Sequence, residues 1–337
     1  MKGKYSIQIE DVKICYKFTI SRNITIIQGN SATGKTQLVE LLMDKFTGTK
    51  SINYNIERVD SKADGSLPEV FAFPAATPFW KNQLAEMKNA IIFFDENCTF
   101  VKTKDFANII KQSDCYFVII NRNRLDMLPY SIEEVYEIVE DKKYPKLKKT
   151  YNKFVRKYGD SQEKIIPDAI LTEDSNSGYQ FAKAAFSSSK ITPCSGKANV
   201  ANIIRIATED SIIALVDGAA FGPEMSRVND QKKIRDLQGK QTIIFAPESF
   251  EWCILRSRLF YDKCKKQLDE TYNYADSKEY GSWEQYYTNL LVDLTRNTPA
   301  AYTKSNLNEF YLGDNSIKAI KEIYDCIDED LANMSLF

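Results

Sequence analysis

Histidine is absent from all 337 residues. That removes Ser-His-Asp and Cys-His catalysis, histidine-dependent metal nucleases and His-ligated zinc. Any chemistry must run on carboxylates, Lys, Arg, Tyr, Ser/Thr or Cys, with a hard metal ion as the natural helper. Paired cysteines are missing too. The seven cysteines stand singly at 15, 98, 115, 194, 253, 264 and 326, and no C-x-x-C occurs. Neither a zinc ribbon nor a disulfide framework is suggested, and buried free thiols in a reducing cytoplasm are expected. No apolar run approaches the roughly 20 residues of a membrane span. The opening MKGKYSIQIE alternates polar and apolar residues and lacks the apolar core of a leader. A cytoplasmic protein without a membrane partner is expected. An excess of one charge is also lacking: 45 Lys and Arg face 46 Asp and Glu, for a net charge of -1. No global basic field announces nucleic acid, although a local patch can still exist.

What is present is ordinary for a folded protein, with 43% hydrophobic and 27% charged residues. The length favours two domains over one. The most informative stretch is Gly29 to Thr36, GNSATGKT, which fits G-x-x-x-x-G-K-[ST] at every fixed position. An apolar run, Ile24 to Ile27, feeds into it, and Leu38, Leu41 and Leu42 share one face of a helix leaving it. Strand, glycine loop and helix together are the context of a phosphate cradle. Gly29 and Gly34 let the backbone turn its N–H groups inward. Asn30, Ser31, Ala32 and Thr33 complete the loop, and the helix aims its positive end at the phosphates. Lys35 is expected to reach the outer phosphates, and the Thr36 hydroxyl to ligate Mg²⁺. The alternative is a glycine-containing turn without a ligand.

Ahead of the loop, Tyr5, Ile7 and Ile9, then Ile14, Tyr16 and Phe18, alternate as a strand pair. Ser51 to Val59 reads as a further strand, Phe71 to Phe79 is too proline-rich for a long helix, and 81–88 fits a short one. Ala90 to Phe94 is then an apolar run of strand length that ends in Asp95 and Glu96. Such runs lie buried in parallel sheets, and their ends emerge where ligands bind. Asp95 is expected to hold Mg²⁺ through water, and Glu96 to orient and polarise the attacking water. Two acids capping the next helix would read the same way. Tyr116 to Ile120 is another buried strand, ending in Asn121-Arg122-Asn123-Arg124. Asn121 is the candidate sensor of the outer phosphate. Arg122 and Arg124 either reach a phosphate or are solvated. Residues 131–140 alternate once more and close this part.

Residues 1–140 resemble P-loop ATPases, and their start looks like that of the ABC type. The chain departs from true ABC ATPases: no L-S-G-G-Q-like signature lies between the two phosphate motifs, and no histidine follows the Asp-Glu strand. The resemblance implies ATP and Mg²⁺ as cofactors. Residues 141–164 form a basic linker, with Lys142, Lys143, Lys146, Lys148, Lys149, Lys153, Arg156 and Lys157 among Tyr144, Tyr151, Phe154 and Tyr158. It reads either as a solvated connector helix or as a grip on a phosphate backbone with stacked bases.

From 165 onward strands and helices alternate again. Ala169 to Thr172 runs into Glu173 and Asp174. Residues 190–193 form a short strand, Ser211 to Val216 runs into Asp217, and 241–245 precedes a loop carrying Glu248 and Glu251. Ser195-Gly196-Lys197 lacks the first glycine of a phosphate loop and reads as a turn. Residues 165–260 look like a Toprim domain, the Rossmann-like unit of topoisomerases, primases and nucleases of the overcoming-lysogenisation-defect family. Carried over by position, Glu173 is the first-strand acid and Asp217 the first Asp of an Asp-x-Asp, implying shared metal and catalytic roles for both. The second Asp is replaced by Ala219, with Glu224, Glu248 and Glu251 as nearby substitutes. Residues 261–337 read as a helical region, with Trp283, Tyr286, Tyr287, Leu290 and Leu291 in its core.

The fold class expected is therefore α/β: a P-loop NTPase parallel-sheet domain, then a Rossmann-like Toprim-type domain with a helical C-terminal extension. The function expected is a Mg²⁺-dependent ATPase whose nucleotide state controls a nucleic-acid-acting domain. The resemblance suggests phage defence or mobile-element maintenance. The alternatives are an ATP-gated scaffold with an inactive second domain, and a kinase of a small molecule or nucleotide. Nucleic acid, a protein partner and a second copy of the chain are all left open as partners.

Overall fold

A computed structural model describes residues 1–12, 14–29, 34–49, 52–59, 66–75, 78–141, 144–151, 154–155 and 167–325. The chain is mixed α/β and divides into two compact units. The first comprises residues 1–151 together with 270–282, and the second comprises 152–269 together with 283–337.

In the first unit, β1 (Tyr5–Glu10) and β2 (Cys15–Ile20) form an antiparallel pair in the register Tyr5 opposite Ile20, Ile7 opposite Phe18 and Ile9 opposite Tyr16. Their alternation follows from one buried and one solvent-side face. β3 (Ile24–Gln28) leads through a turn at Gly34 into α1 (Lys35–Thr47), which stops at a left-handed Gly48. β4 (Asn53–Arg58) does not join the parallel sheet. It pairs antiparallel with β1 and completes a three-stranded sheet. Next come β5 (Glu69–Phe73), α2 (Trp80–Glu86), β6 (Ala90–Phe94), α3 (Lys104–Ile110), β7 (Tyr116–Ile120), β8 (Val135–Asp141) and β9 (Tyr144–Lys149).

Six of these strands form one sheet in the order β5-β6-β7-β3-β8-β9, parallel except for β9. Every residue of β6 and β7 is buried, as expected of central strands covered on both faces. One face packs Ile92, Phe94, Phe117 and Ile119 against Leu84 of α2 and Phe106 and Ile110 of α3. On the other, Ile91, Phe93, Val118 and Ile120 meet Leu38 and Leu42 of α1 and the small antiparallel sheet. The stretch 270–282 is tied to this unit by Gly3 N–H to the Tyr272 carbonyl (2.6 Å) and Asn23 Nδ2 to the Tyr280 carbonyl (2.9 Å). The expected connector helix after residue 140 is instead strand β9, antiparallel to β8. Lys142, Lys143, Lys153, Arg156, Lys157 and Tyr158 of that basic stretch lie outside the described residues.

The second unit contains β10 (Phe154–Val155), β11 (Ala169–Thr172), α4 (Ser177–Ala185), β12 (Lys190–Pro193), α5 (Lys197–Ile206), β13 (Ser211–Leu215), α6 (Gly222–Leu237), β14 (Gln241–Phe245), α7 (Phe250–Arg256), α8 (Tyr261–Asp269), α9 (Trp283–Thr295) and α10 (Asp314–Asp325). Its sheet has the order β10-β14-β13-β11-β12. The last four strands are mutually parallel, and β10 runs antiparallel to β14. Ser195-Gly196 forms the expected turn, with φ of 59° and 115°. Tyr286, Tyr287 and Leu291 of α9 are buried, whereas Trp283 and Leu290 are half-buried. Among the described residues no helix is long and apolar enough to cross a membrane.

Candidate functional site

In the first unit, the carboxyl ends of three adjacent strands carry the predicted residues. β3 delivers Gly29, and the start of α1 carries Lys35 and Thr36. β7 delivers Asn121 and Arg122, and β6 delivers Asp95 and Glu96. Asn30, Ser31, Ala32 and Thr33 lie outside the described residues. The turn before α1 has room for no side chain at 34. Gly34 sits at φ 86°, and a Cβ there would lie 2.7 Å from the Tyr16 hydroxyl, which donates to the Gly34 carbonyl at 2.8 Å. Gly29 is likewise left-handed, at φ 128°.

Lys35 is only 4% exposed and donates from Nζ back to the Gly29 carbonyl at 2.8 Å. Burial, then the nearby Arg122 charge, pull its pKa below the ordinary lysine value, against Glu96, which raises it. Thr36 is exposed. Among the described residues, Gly34, Lys35, Thr36, Glu96 and Arg122 line one cleft of about 340 Å³.

Asp95 is buried. Its N–H donates to the Phe73 carbonyl (2.9 Å) and its Oδ2 accepts from Asn97 Nδ2 (2.8 Å). Its Oδ1 is buried with no hydrogen-bond partner among the described residues. A buried carboxylate oxygen left unspent is costly unless a cation or water completes it. Such an oxygen suits Mg²⁺, which keeps several waters and takes few protein ligands; Asp95 itself does not line the cleft that holds Thr36. Glu96 is engaged differently: Arg122 Nε and Nη2 meet its two carboxylate oxygens at 2.8 and 2.9 Å, a two-point fork. Asn121 is buried, and its Oδ1 accepts from Asn123 N–H at 3.0 Å. Arg124 pairs with Asp126 at 3.0 Å.

In the second unit, Glu173 and Asp217 come together at the ends of β11 and β13. The Asp217 N–H donates to Glu173 Oε2 at 3.0 Å, and Asp217 Oδ1 accepts from Phe250 N–H at 3.1 Å. Both line a small cavity of about 40 Å³ with Ser177, Glu251 and Lys304. That is room for a few waters at most. Burial pushes Glu173 up to about 7, helped by Glu284 and opposed by the Asp217 N–H. Asp217 is raised well above the carboxylate range by burial and by Glu284, Glu173 and Glu251. Glu251 is buried. Its Oε1 accepts from the Tyr302 hydroxyl at 2.7 Å, and its Oε2 has no partner among the described residues.

The cluster contains its own cation. Lys304 donates to Glu284 Oε1 at 2.7 Å and lies 3.8 Å from Glu251 Oε1. Burial pulls its pKa down, but Glu251, Glu284 and Asp217 more than offset this and hold it raised. Among the described residues no three acidic or thiol side chains form a group that could hold a metal ion. Glu173, Asp174, Asp217 and Glu251 all line the cavity, and the Lys304 ammonium beside them already supplies positive charge that a divalent cation would bring. Glu224 and Glu248, named as substitutes for the missing acid, do not line the cavity, and Glu224 pairs with Arg227 at 3.1 Å. Ala219 is buried, with its N–H on the Glu248 carbonyl at 3.1 Å.

Sequence reasoning missed Tyr16, Asn97, Glu284, Tyr302 and Lys304. All five act through partners distant in the chain or through turns, and none sits in a motif. Comparison with family models, with curated proteins and with solved structures finds no match for this chain.

Proposed function

We propose that the first unit is a P-loop-type ATPase site that takes ATP with Mg²⁺. The observation that carries this reading is the gathering of Lys35, Asp95 with its unspent oxygen, Glu96 and Asn121 at the carboxyl ends of three neighbouring parallel strands. Ligands of open parallel sheets bind at that edge. Lys35 would release the Gly29 carbonyl for the outer phosphates, and Thr36 and Asp95 would hold Mg²⁺, which neutralises phosphate charge when bound. Glu96 would accept a hydrogen bond from the attacking water. The water oxygen bonds to the terminal phosphorus as that phosphorus parts from the bridging oxygen. The products are ADP and inorganic phosphate, and the proton leaves through Glu96 to solvent. Asn121 would face the outer phosphate.

The second unit, in this reading, is a Toprim-like module in a cytoplasmic protein, placed under control of the nucleotide and directed at nucleic acid. Lys304 within its acidic cluster favours binding or signalling over metal-dependent cleavage. Nucleotide-binding measurements with the wild type and Lys35→Ala test the first claim: affinity should be lost with the side chain, and equal affinity would end the reading. Incubating DNA and RNA with the protein and Mg²⁺ or Mn²⁺ tests the second. No nicking is expected, and nicking abolished by Glu173→Ala and Asp217→Ala would instead establish a nuclease.

A further inference from the structure

We propose that Arg122 is the residue by which the site distinguishes a nucleoside triphosphate from a diphosphate, and that it does so by exchanging partners. The inference rests on the nucleotide-binding reading above. Its physical basis is the fork between Arg122 and Glu96, at 2.8 and 2.9 Å, in the cleft that also holds Lys35 and Thr36. Among the described residues lining that cleft, the cations are Lys35 and Arg122. Lys35 is buried against the turn, while the Arg122 side chain is about half exposed, at 49%.

A guanidinium fork binds a carboxylate and a phosphate through the same two-point geometry. Arg122 therefore has two competing partners of one type, Glu96 and an outer phosphate. A half-exposed ion pair is worth little and is easily traded. A phosphate with more negative charge in the same cleft is the stronger acceptor. With a diphosphate, no terminal group reaches the fork, Glu96 stays paired, and its oxygens are occupied by N–H donors. With a triphosphate, Arg122 moves to the terminal phosphate and Glu96 is left free to accept from water. Arg122 thus acts as a positioning residue for Glu96 and a selectivity residue for the ligand. The side chain that neutralises the terminal phosphate is the one whose departure arms the glutamate. Lys35 and the glycine turn serve both nucleotides alike.

Equilibrium binding of a non-hydrolysable ATP analogue and of ADP, each with Mg²⁺, tests this in the full-length protein. The wild type should prefer the triphosphate. Arg122→Ala should reduce that preference by about tenfold or more while leaving ADP affinity within about twofold, a range typical of losing a two-point charged contact. Glu96→Gln should move the other way. With its charged competitor gone, Arg122 is freer, and the analogue should bind about three- to tenfold tighter with ADP unchanged. The retained ADP affinity reports that each variant is folded. Equal loss of both nucleotides in an Arg122→Ala protein that melts at the wild-type temperature, or weaker analogue binding in Glu96→Gln, overturns the exchange alone. A wild type that binds neither nucleotide overturns the ATPase reading and the exchange with it.

Discussion

Substituting Gly34 by alanine is expected to damage the first unit through two separable effects. The backbone at 34 is left-handed, at φ 86°, which costs an L-residue about 1–2 kcal/mol. The added methyl would also lie 2.7 Å from the Tyr16 hydroxyl. Tyr16 is almost fully buried and cannot swing into solvent, so relief means breaking its hydrogen bond to the Gly34 carbonyl, at about 1 kcal/mol. Gly34→Ala should therefore destabilise the unit by about 2–3 kcal/mol. Tyr16→Phe alone loses the same hydrogen bond, about 1 kcal/mol. In the double variant the colliding oxygen is gone, so its cost should fall short of the sum of the singles by about 1 kcal/mol. Hydrogen exchange read by mass spectrometry suits the measurement, because it resolves peptides of α1 and β2 from those of the second unit. Additive costs, or wild-type protection in Gly34→Ala, would refute the claim that this turn is closed against a side chain.

Three further outcomes are expected. Gly218→Ala should destabilise the second unit by about 3 kcal/mol or prevent its folding, because a Cβ there would meet the Ala246 and Pro247 carbonyls at 2.5 and 2.7 Å, both backbone; a melting temperature like that of the wild type would count against the close approach of these loops. Tyr302→Phe should cost about 2 kcal/mol, because the hydroxyl bridges Glu251 and Ser177 at 2.7 Å each and its loss leaves both Glu251 oxygens short of donors; an unchanged denaturation midpoint would contradict this. Glu134 is raised by burial to about 7 from its ordinary 4.5, with Arg22 pulling the other way. The folded chain keeps that proton where the unfolded chain releases it, so this contribution is full below about 4.5 and is lost as pH rises to about 7. Glu134→Gln should flatten the fall in stability across that window, and an unaltered slope would refute the assignment.

The central strands were legible because burial on both faces leaves no choice of residue: AIIFF and YFVII are apolar throughout, and each ends at polar residues at the carboxyl edge of the sheet. The strand–helix alternation of the second unit was readable for the same reason, whereas the meeting of Glu173 with Asp217 was implied only by the resemblance to Toprim domains. Strand β9 was not. Its lysines suggested a solvated helix, but lysine is also what protects an exposed sheet edge, and β9 is the last strand of its sheet. β4 was readable as a strand, yet nothing local specified that it would pair with β1. Lys304 had no local signal at all. Its loop is pinned to the start of α4 by Ser177 N–H on the Lys304 carbonyl (2.9 Å) and by Gln180 on Ser305 and Leu307 (2.9 and 2.8 Å). The fork between Glu96 and Arg122 joins two strand ends that were each identified, but their adjacency is a property of strand order, which periodicity does not encode.

The most direct test of the central claim is calorimetric titration of a non-hydrolysable ATP analogue into wild type, Lys35→Ala and Asp95→Asn, with and without Mg²⁺. The wild type should show saturable binding at one site that weakens without Mg²⁺. Lys35→Ala should lose it at an unchanged melting temperature, and Asp95→Asn should lose the Mg²⁺ dependence. No binding by the wild type, or equal binding by all three proteins, would contradict the assignment of this sheet edge as a nucleotide site.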